Sequence, residues 1–141
     1  AWGLYGYTMC YRYTKNEEFL QQAQKMANYI LNHQNLPQDL VPYWDYNAPN
    51  IPDEPRDASA AAIMASAFYE LDTFSKTKNY RKYANKILKS LSSKKYRTQN
   101  SDFLIDHCVG SKPENSEVNV PLIYADYYYL EANLRRTKMV N

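Results

Sequence analysis

Residues 13–26, YTKNEEFLQQAQKM, return in altered form as residues 74–87, FSKTKNYRKYANKI. Each matched residue lies 61 positions after its counterpart: Tyr13 and Phe74, Phe19 and Tyr80, Ala23 and Ala84, Met26 and Ile87. Both copies begin with a Ser/Thr-Lys turn and continue into a pattern with apolar residues at helical spacing. In the first copy the apolar set is Phe19, Leu20, Ala23, Met26, Ala27, Ile30 and Leu31, which predicts a helix over 17–32. In the second it is Tyr80, Tyr83, Ala84, Ile87, Leu88 and Leu91, which predicts one over 79–91. A third helix over 58–74 (ASAAAIMASAFYELDTF) carries almost no charge before Glu70, so burial on nearly every side is expected. Further helices are expected over 2–13 and, after the helix-starting Pro121, to about 136. Gly3 and Gly6 in the first suggest close approach of another backbone.

The repeated unit is a buried helix, a tight turn, an amphipathic helix and a long irregular connector. Such units stack as antiparallel α-hairpins, in a solenoid or a closed α/α barrel. Two and a half hairpins leave an open edge that exposes apolar surface unless something covers it. If the buried helices run parallel, the segments preceding them gather on one rim. These are the start around Trp2, the connector 36–57 and the connector 94–120, while the short turns form a plain opposite rim. Helix N-termini at the decorated rim suit a ligand bearing a carboxylate.

The second connector, PYWDYNAPNIPDEPRD over 42–57, holds Pro42, Pro49, Pro52 and Pro55 among aromatic and charged residues. The prolines exclude a regular helix and hold Tyr43, Trp44 and Arg56 in place before a ligand arrives. Asp57 precedes the alanine-rich helix and is expected to cap it. In the third connector, His107 and Lys112 are candidates for ligand contact, with structural or solvated roles as alternatives. Ser111 and Lys112 beside Gly110 suit an anionic group. Trp2 is either a sugar platform or a core residue. Asp126 lies in LIYADYYYL, where tyrosine hydroxyls are the expected partners of its carboxylate. His33 is expected to serve a helix C-terminus.

With 17 Lys and Arg against 15 Asp and Glu, the net charge of +2 argues against nucleic acid as a partner. No apolar run approaches a membrane span, so no membrane partner is expected either. Cys10 and Cys108 fit no metal spacing and read as small buried apolar residues. No phosphate-cradling glycine loop, zinc motif or paired catalytic carboxylates stand out, so neither cofactor nor metal is expected. Fifteen tyrosines beside four phenylalanines suit pocket walls and helix seams alike.

Four stretches, AWGLYGYTMCYRYT, PYWDYNAPNIPDEPRDASAAAI, ILKSLSS and SEVNVPLIYADYYYLEANLR, resemble the unsaturated glucuronyl hydrolases, glycoside hydrolase family 88. The resemblance is collinear over nearly the whole chain, and it is to the C-terminal part of that family. It implies an all-α fold in which 1–141 supplies about five of the twelve helices of an (α/α)6 barrel. It further implies hydrolysis of unsaturated uronyl oligosaccharides left by polysaccharide lyases, by hydration of the C4=C5 vinyl ether. A carboxylic acid would deliver the proton there and then activate water. The family's catalytic aspartates fall before Ala1, so no residue of this chain inherits that role. Trp2 matches a family tryptophan that lines the sugar site. The sequence Cys108-Val109-Gly110-Ser111 departs from the usual serine and histidine of close relatives, and Asn119 stands where aspartate is frequent. The resemblance leaves open a bacterial periplasm or cytoplasm. It also leaves open an unsaturated rhamnogalacturonyl hydrolase, a non-catalytic carbohydrate-binding or interaction module, and a chain that pairs with the rest of its barrel or with itself through the open edge.

Overall fold

The computed structural model describes residues 1–75 and 78–139. Its elements in order are α1 (Trp2–Thr14), α2 (Glu17–Asn32), α3 (Ala58–Phe74), α4 (Arg81–Leu91), β1 (Cys108–Ser111), β2 (Ser116–Val120) and α5 (Ile123–Lys138). Helix α3 is the axis of the molecule. Between Ala58 and Leu71 only Ala60 is not buried. Its alanines let α1, α4 and α5 pack closely, because a methyl group fills little of the space between helix backbones. The amphipathic helices sit outside it, α2 burying Leu20, Ala23, Ala27 and Ile30, and α4 burying Ala84, Ile87, Leu88 and Leu91.

Each hairpin closes by local hydrogen bonding. Lys15 adopts a left-handed conformation (φ 57°) after α1 and donates its backbone N–H to Tyr11 O. Asn16 then caps α2 by accepting from the Glu18 N–H at 3.0 Å. In the second hairpin, Asn79 Oδ1 accepts from the Lys82 N–H at 3.0 Å, and Asp72 Oδ1 accepts from the Arg81 N–H at 3.0 Å. Helix α4 therefore starts two residues later than the apolar pattern predicts, with Tyr80 as its cap residue and the Asn79 side chain satisfying an amide of its first turn. Lys76 of the repeated turn lies outside the described residues. At α5 the helix likewise begins after Pro121, with extended Leu122 as the cap residue.

The third connector holds more structure than expected. Cys108–Ser111 and Ser116–Val120 pair as an antiparallel hairpin with a bulge between Cys108 and Val109. Glu117 and Asn119 have positive φ and most of β2 is not buried, so no two-residue alternation of apolar side chains announces it. Downstream, Asp126 corrects an expectation. Its carboxylate accepts from the backbone N–H groups of Leu104 (2.9 Å) and Ile105 (3.0 Å), not from tyrosine hydroxyls. A buried carboxylate in the first turn of α5 also lies favourably in that helix's field.

The glycines read differently too. A side chain at Gly3 would meet the flexible end of Met26, whereas Gly6 faces open space, so neither marks contact with another backbone. Cys108 is buried, Cys10 is half-buried, and both are free thiols. Far along α3, Glu70 pairs with Arg12 of α1 at 3.2 Å and with Arg135 of α5 at 3.0 Å, joining three helices through one buried carboxylate. On the outer side of α5, Ile123, Tyr127, Leu130 and Leu134 form a stripe that is 54 to 73% exposed.

Replacing Asp126 by alanine strands two amide donors, one of them on buried Ile105. The expected cost is on the order of 3 kcal/mol in urea denaturation. Asp126→Asn, which keeps one acceptor oxygen, is expected to lose less.

Candidate functional site

The starts of α1, α3 and α5 converge on one cavity of about 360 Å³. Ala1 and Trp2 come from the first, Ser59 and Ala60 from the second, and Tyr124 from the third. Helices α1, α3 and α5 therefore run parallel, although only α3 is buried on nearly every side, and the connectors supply the remaining walls. Pro42, Tyr43, Trp44 and Tyr46 come from the second connector, and Val109, Gly110, Ser111, Lys112 and Pro113 from the third. Three helix N-termini aimed at one space give it a positive bias from backbone dipoles.

One carboxylate lines this space. Asp57 Oδ1 accepts from Ser59 Oγ (2.6 Å), Ser59 N (3.0 Å), Ala60 N (3.2 Å) and, across the chain, Val109 N (3.3 Å). It is the expected cap of α3, and it also ties the third connector to that helix. Burial pushes its carboxyl above the usual value, against the pull of those four hydrogen bonds. Val109 had no sequence signal as a partner, because the pair is 52 positions apart.

Trp2 is 56% exposed, yet its ring is braced by Tyr124 at 5.9 Å and Tyr128 at 5.3 Å. Trp44 is fixed from behind by its indole N–H, which donates to Glu54 Oε2 at 2.9 Å. That bond, foremost, with help from the Asn50 donors and the Lys112 charge, holds the Glu54 carboxyl below its ordinary range. The loop carrying Trp44 is pinched at its base, where Trp44 N donates to Pro55 O (3.0 Å) and Asp57 N donates to Pro42 O (2.8 Å). Cys108 lies behind the wall. Burial pushes its thiol up to about 12, so it stays protonated and is no nucleophile at neutral pH.

Of the residues singled out from sequence, the cavity brings together Trp2, Tyr43, Trp44, Ser111 and Lys112. Arg56 and His107 line a neighbouring depression with Asp53, Glu54, Lys95 and Asn119. Arg56 is occupied with structure. Its guanidinium bonds Asp39 and Val41 O and lies 4.9 Å from the Tyr43 ring centre. His107 has positive φ, accepts the Ala58 N–H at its carbonyl (3.0 Å) and sets Nδ1 2.6 Å from Asn119 Oδ1. His33 ends α2 as its cap residue, with Nδ1 accepting from the Asn35 N–H and its ring 4.6 Å from that of Tyr46. Ser59 and Tyr124 were not singled out from sequence. For Tyr124 a signal existed, since it stands in the first turn of a helix already assigned to this rim.

The cavity walls belong to a recognisable design. The chain is 47% identical, over 99% of its length, to the unsaturated glucuronyl hydrolase of Formosa agariphila. It also superposes with a TM-score of 0.95, at 46% identity, on the crystal structure of an unsaturated glucuronyl hydrolase specific for heparin, over 99% of this chain. The chain matches one part of the unsaturated glucuronyl hydrolases. Its hairpins are part of the (α/α)6 barrel of that family. It spans 36% of the Formosa relative and 38% of the solved chain, so it corresponds to rather more than a third of either. An unsaturated chondroitin disaccharide hydrolase of Streptococcus pyogenes is 36% identical over 96% of this chain and 35% of its own. A Streptococcus agalactiae glucuronyl hydrolase variant solved with dGlcA-GalNAc6S matches at 31% identity with a TM-score of 0.86, over 96% of this chain and 37% of its own. No family-level sequence profile matches the chain.

Asp39 supplies a pH test of the second connector. Burial raises its pKa, but the Tyr96 hydroxyl, the Val41 N–H, Arg56 and Lys95 outweigh burial and leave it below 3.8. A depressed carboxylate contributes stability that is present above its ordinary pKa and is lost as pH falls through the folded value. Thermal melts should thus show wild type more stable than Asp39→Asn at pH 6, with the gap closing below about pH 4.

Proposed function

We propose that the protein of which this chain is part hydrolyses unsaturated uronyl oligosaccharides released by polysaccharide lyases, with residues 1–141 as the C-terminal part of its single barrel domain. The observation that carries this is the cavity at the junction of three helix starts, aromatic on two sides and bearing Lys112 on a third. An unsaturated uronyl sugar has a flattened ring, which suits the braced face of Trp2, and a carboxylate, which suits helix N-termini and an ammonium group. Tyr43 and Trp44 flank the ring, and Ser111 and Lys112 donate to its polar groups. Arg56 and His107 act as supports, the first stiffening the second connector and the third anchored by the other.

In the reaction, a carboxylic acid protonates C4 of the vinyl ether and water adds to C5. The resulting hemiketal opens, and the glycosidic bond is lost without attack at the anomeric carbon. Asp57 is spent on holding α3 and Val109, so the proton donor is proposed to come from aspartates outside this chain. The exposed stripe Ile123, Tyr127, Leu130 and Leu134 then faces the barrel helices that this chain does not contain.

Loss of the conjugated uronate absorbance tests the reading. The 141 residues alone are expected to give no turnover, and a longer polypeptide with the remaining barrel helices is expected to give it. In that polypeptide Trp2→Ala should lower kcat/KM about tenfold, equivalent to about 1.4 kcal/mol, with little change in melting temperature. Unchanged kinetics would remove Trp2 from the site, and no turnover on any unsaturated uronyl disaccharide would remove the reading.

A further inference from the structure

Charge along this chain is segregated. Residues 81–97, RKYANKILKSLSSKKYR, hold seven of its 17 Lys and Arg and none of its 15 Asp and Glu. The rest of the chain therefore carries ten cations against 15 acids. Lys82, Lys86 and Lys89 recur at spacings of four and three, on the exposed face of α4, and Lys94 is exposed just beyond it. Among the described residues, none of these four ammonium groups has a carboxylate within ion-pair distance.

This arrangement works against the helix that carries it. Like charges three and four residues apart repel, and Lys82 places positive charge in the first turn of α4, where Asp72 answers only the neighbouring Arg81. Helix α2 shows the ordinary solution, with Glu17 and Glu18 in its first turn. Beside the α4 lysines runs a groove of about 630 Å³ that Lys86 and Lys89 share with Asn85, Ser90, Ser93, Tyr96 and Lys95, the last paired at 3.3 Å with Asp39, the one carboxylate of its lining. Ammonium groups interleaved with an amide and hydroxyls match a ligand that alternates anionic groups with hydroxyls. Lys82 and Lys89 stand roughly 10 Å apart along the helix axis, about one disaccharide unit.

We propose that the outer face of α4 and this groove dock an acidic polysaccharide strand, remote from the cavity. Such a surface would hold the protein where lyases release its substrate. The choice of polysaccharide rests on the uronyl-saccharide reading above. Nucleic acid is the poorer fit: Arg81 is drawn to Asp72, Arg97 lies over the Tyr129 ring, Tyr96 is buried, and the Tyr83 ring is covered by the Lys82 ammonium at 4.8 Å.

The test is retention of the longer polypeptide, with the remaining barrel helices, on immobilised heparin across a salt series. Wild type is expected to bind, and K82Q/K86Q/K89Q to bind at least tenfold more weakly at about 0.1 M salt, its log–log salt slope falling by about 2. The substituted side chains are exposed, so melting is expected to be unchanged or higher. A control with the same charge loss elsewhere, K15Q/K25Q/K138Q, is expected to keep most of the affinity. Equal retention of the two variants would overturn the proposal, as would tighter binding to single-stranded DNA or to phosphatidylserine vesicles at the same salt. In the longer polypeptide the α4 variant should leave disaccharide turnover unchanged. Absence of turnover in wild type would fault the uronyl reading, while heparin retention would still decide the docking surface.

Discussion

The Asp57 carboxylate is the interaction on which this end of the molecule depends. One oxygen accepts from the first turn of the central helix and from Val109 in the third connector. Two backbone pairings, Trp44 with Pro55 and Asp57 with Pro42, fasten the second connector to the same point. Three segments distant in sequence thus share a single junction at the mouth of α3. A carboxylate can do this because several amides converge on it, and charge-assisted bonds to backbone donors are among the stronger ones available.

From that junction the cavity follows. Parallel α1, α3 and α5 put their N-termini together, short turns send the chain back, and the long connectors have only one end at which to gather. Polar anchoring continues away from it, with Asp126 holding Leu104 and Ile105, Asp39 holding Arg56 and Tyr96, and Glu70 joining three helices. The aromatic walls are rigid because each is braced from behind, Trp44 by Glu54 and Trp2 by Tyr124 and Tyr128. A site whose walls are held before the ligand arrives loses less entropy on binding.

Helices were legible in the sequence because their apolar spacing is a local property. The 61-residue repeat carried the hairpin order, and the resemblance carried the barrel. What escaped were pairings that only the fold creates. Asp126 sits among tyrosines in sequence, but in space it accepts from amides 22 and 21 residues earlier. Arg56 and His107 stand on the right connectors, yet adjacency along a loop does not say on which side of a wall a side chain falls. The β-hairpin was unreadable because positive φ at Glu117 and Asn119 breaks the alternation that announces a strand.

The central claim is that the starts of α1, α3 and α5 and two long connectors form one cup for a sugar. Hydrogen–deuterium exchange on a polypeptide carrying the whole barrel, with and without an unsaturated uronyl disaccharide, tests it most directly. The account predicts simultaneous protection at residues 1–5, 42–46, 57–60, 109–113 and 123–125, and none at the turn 14–17. Protection confined to that turn, or missing from one of the three helix starts, would contradict it.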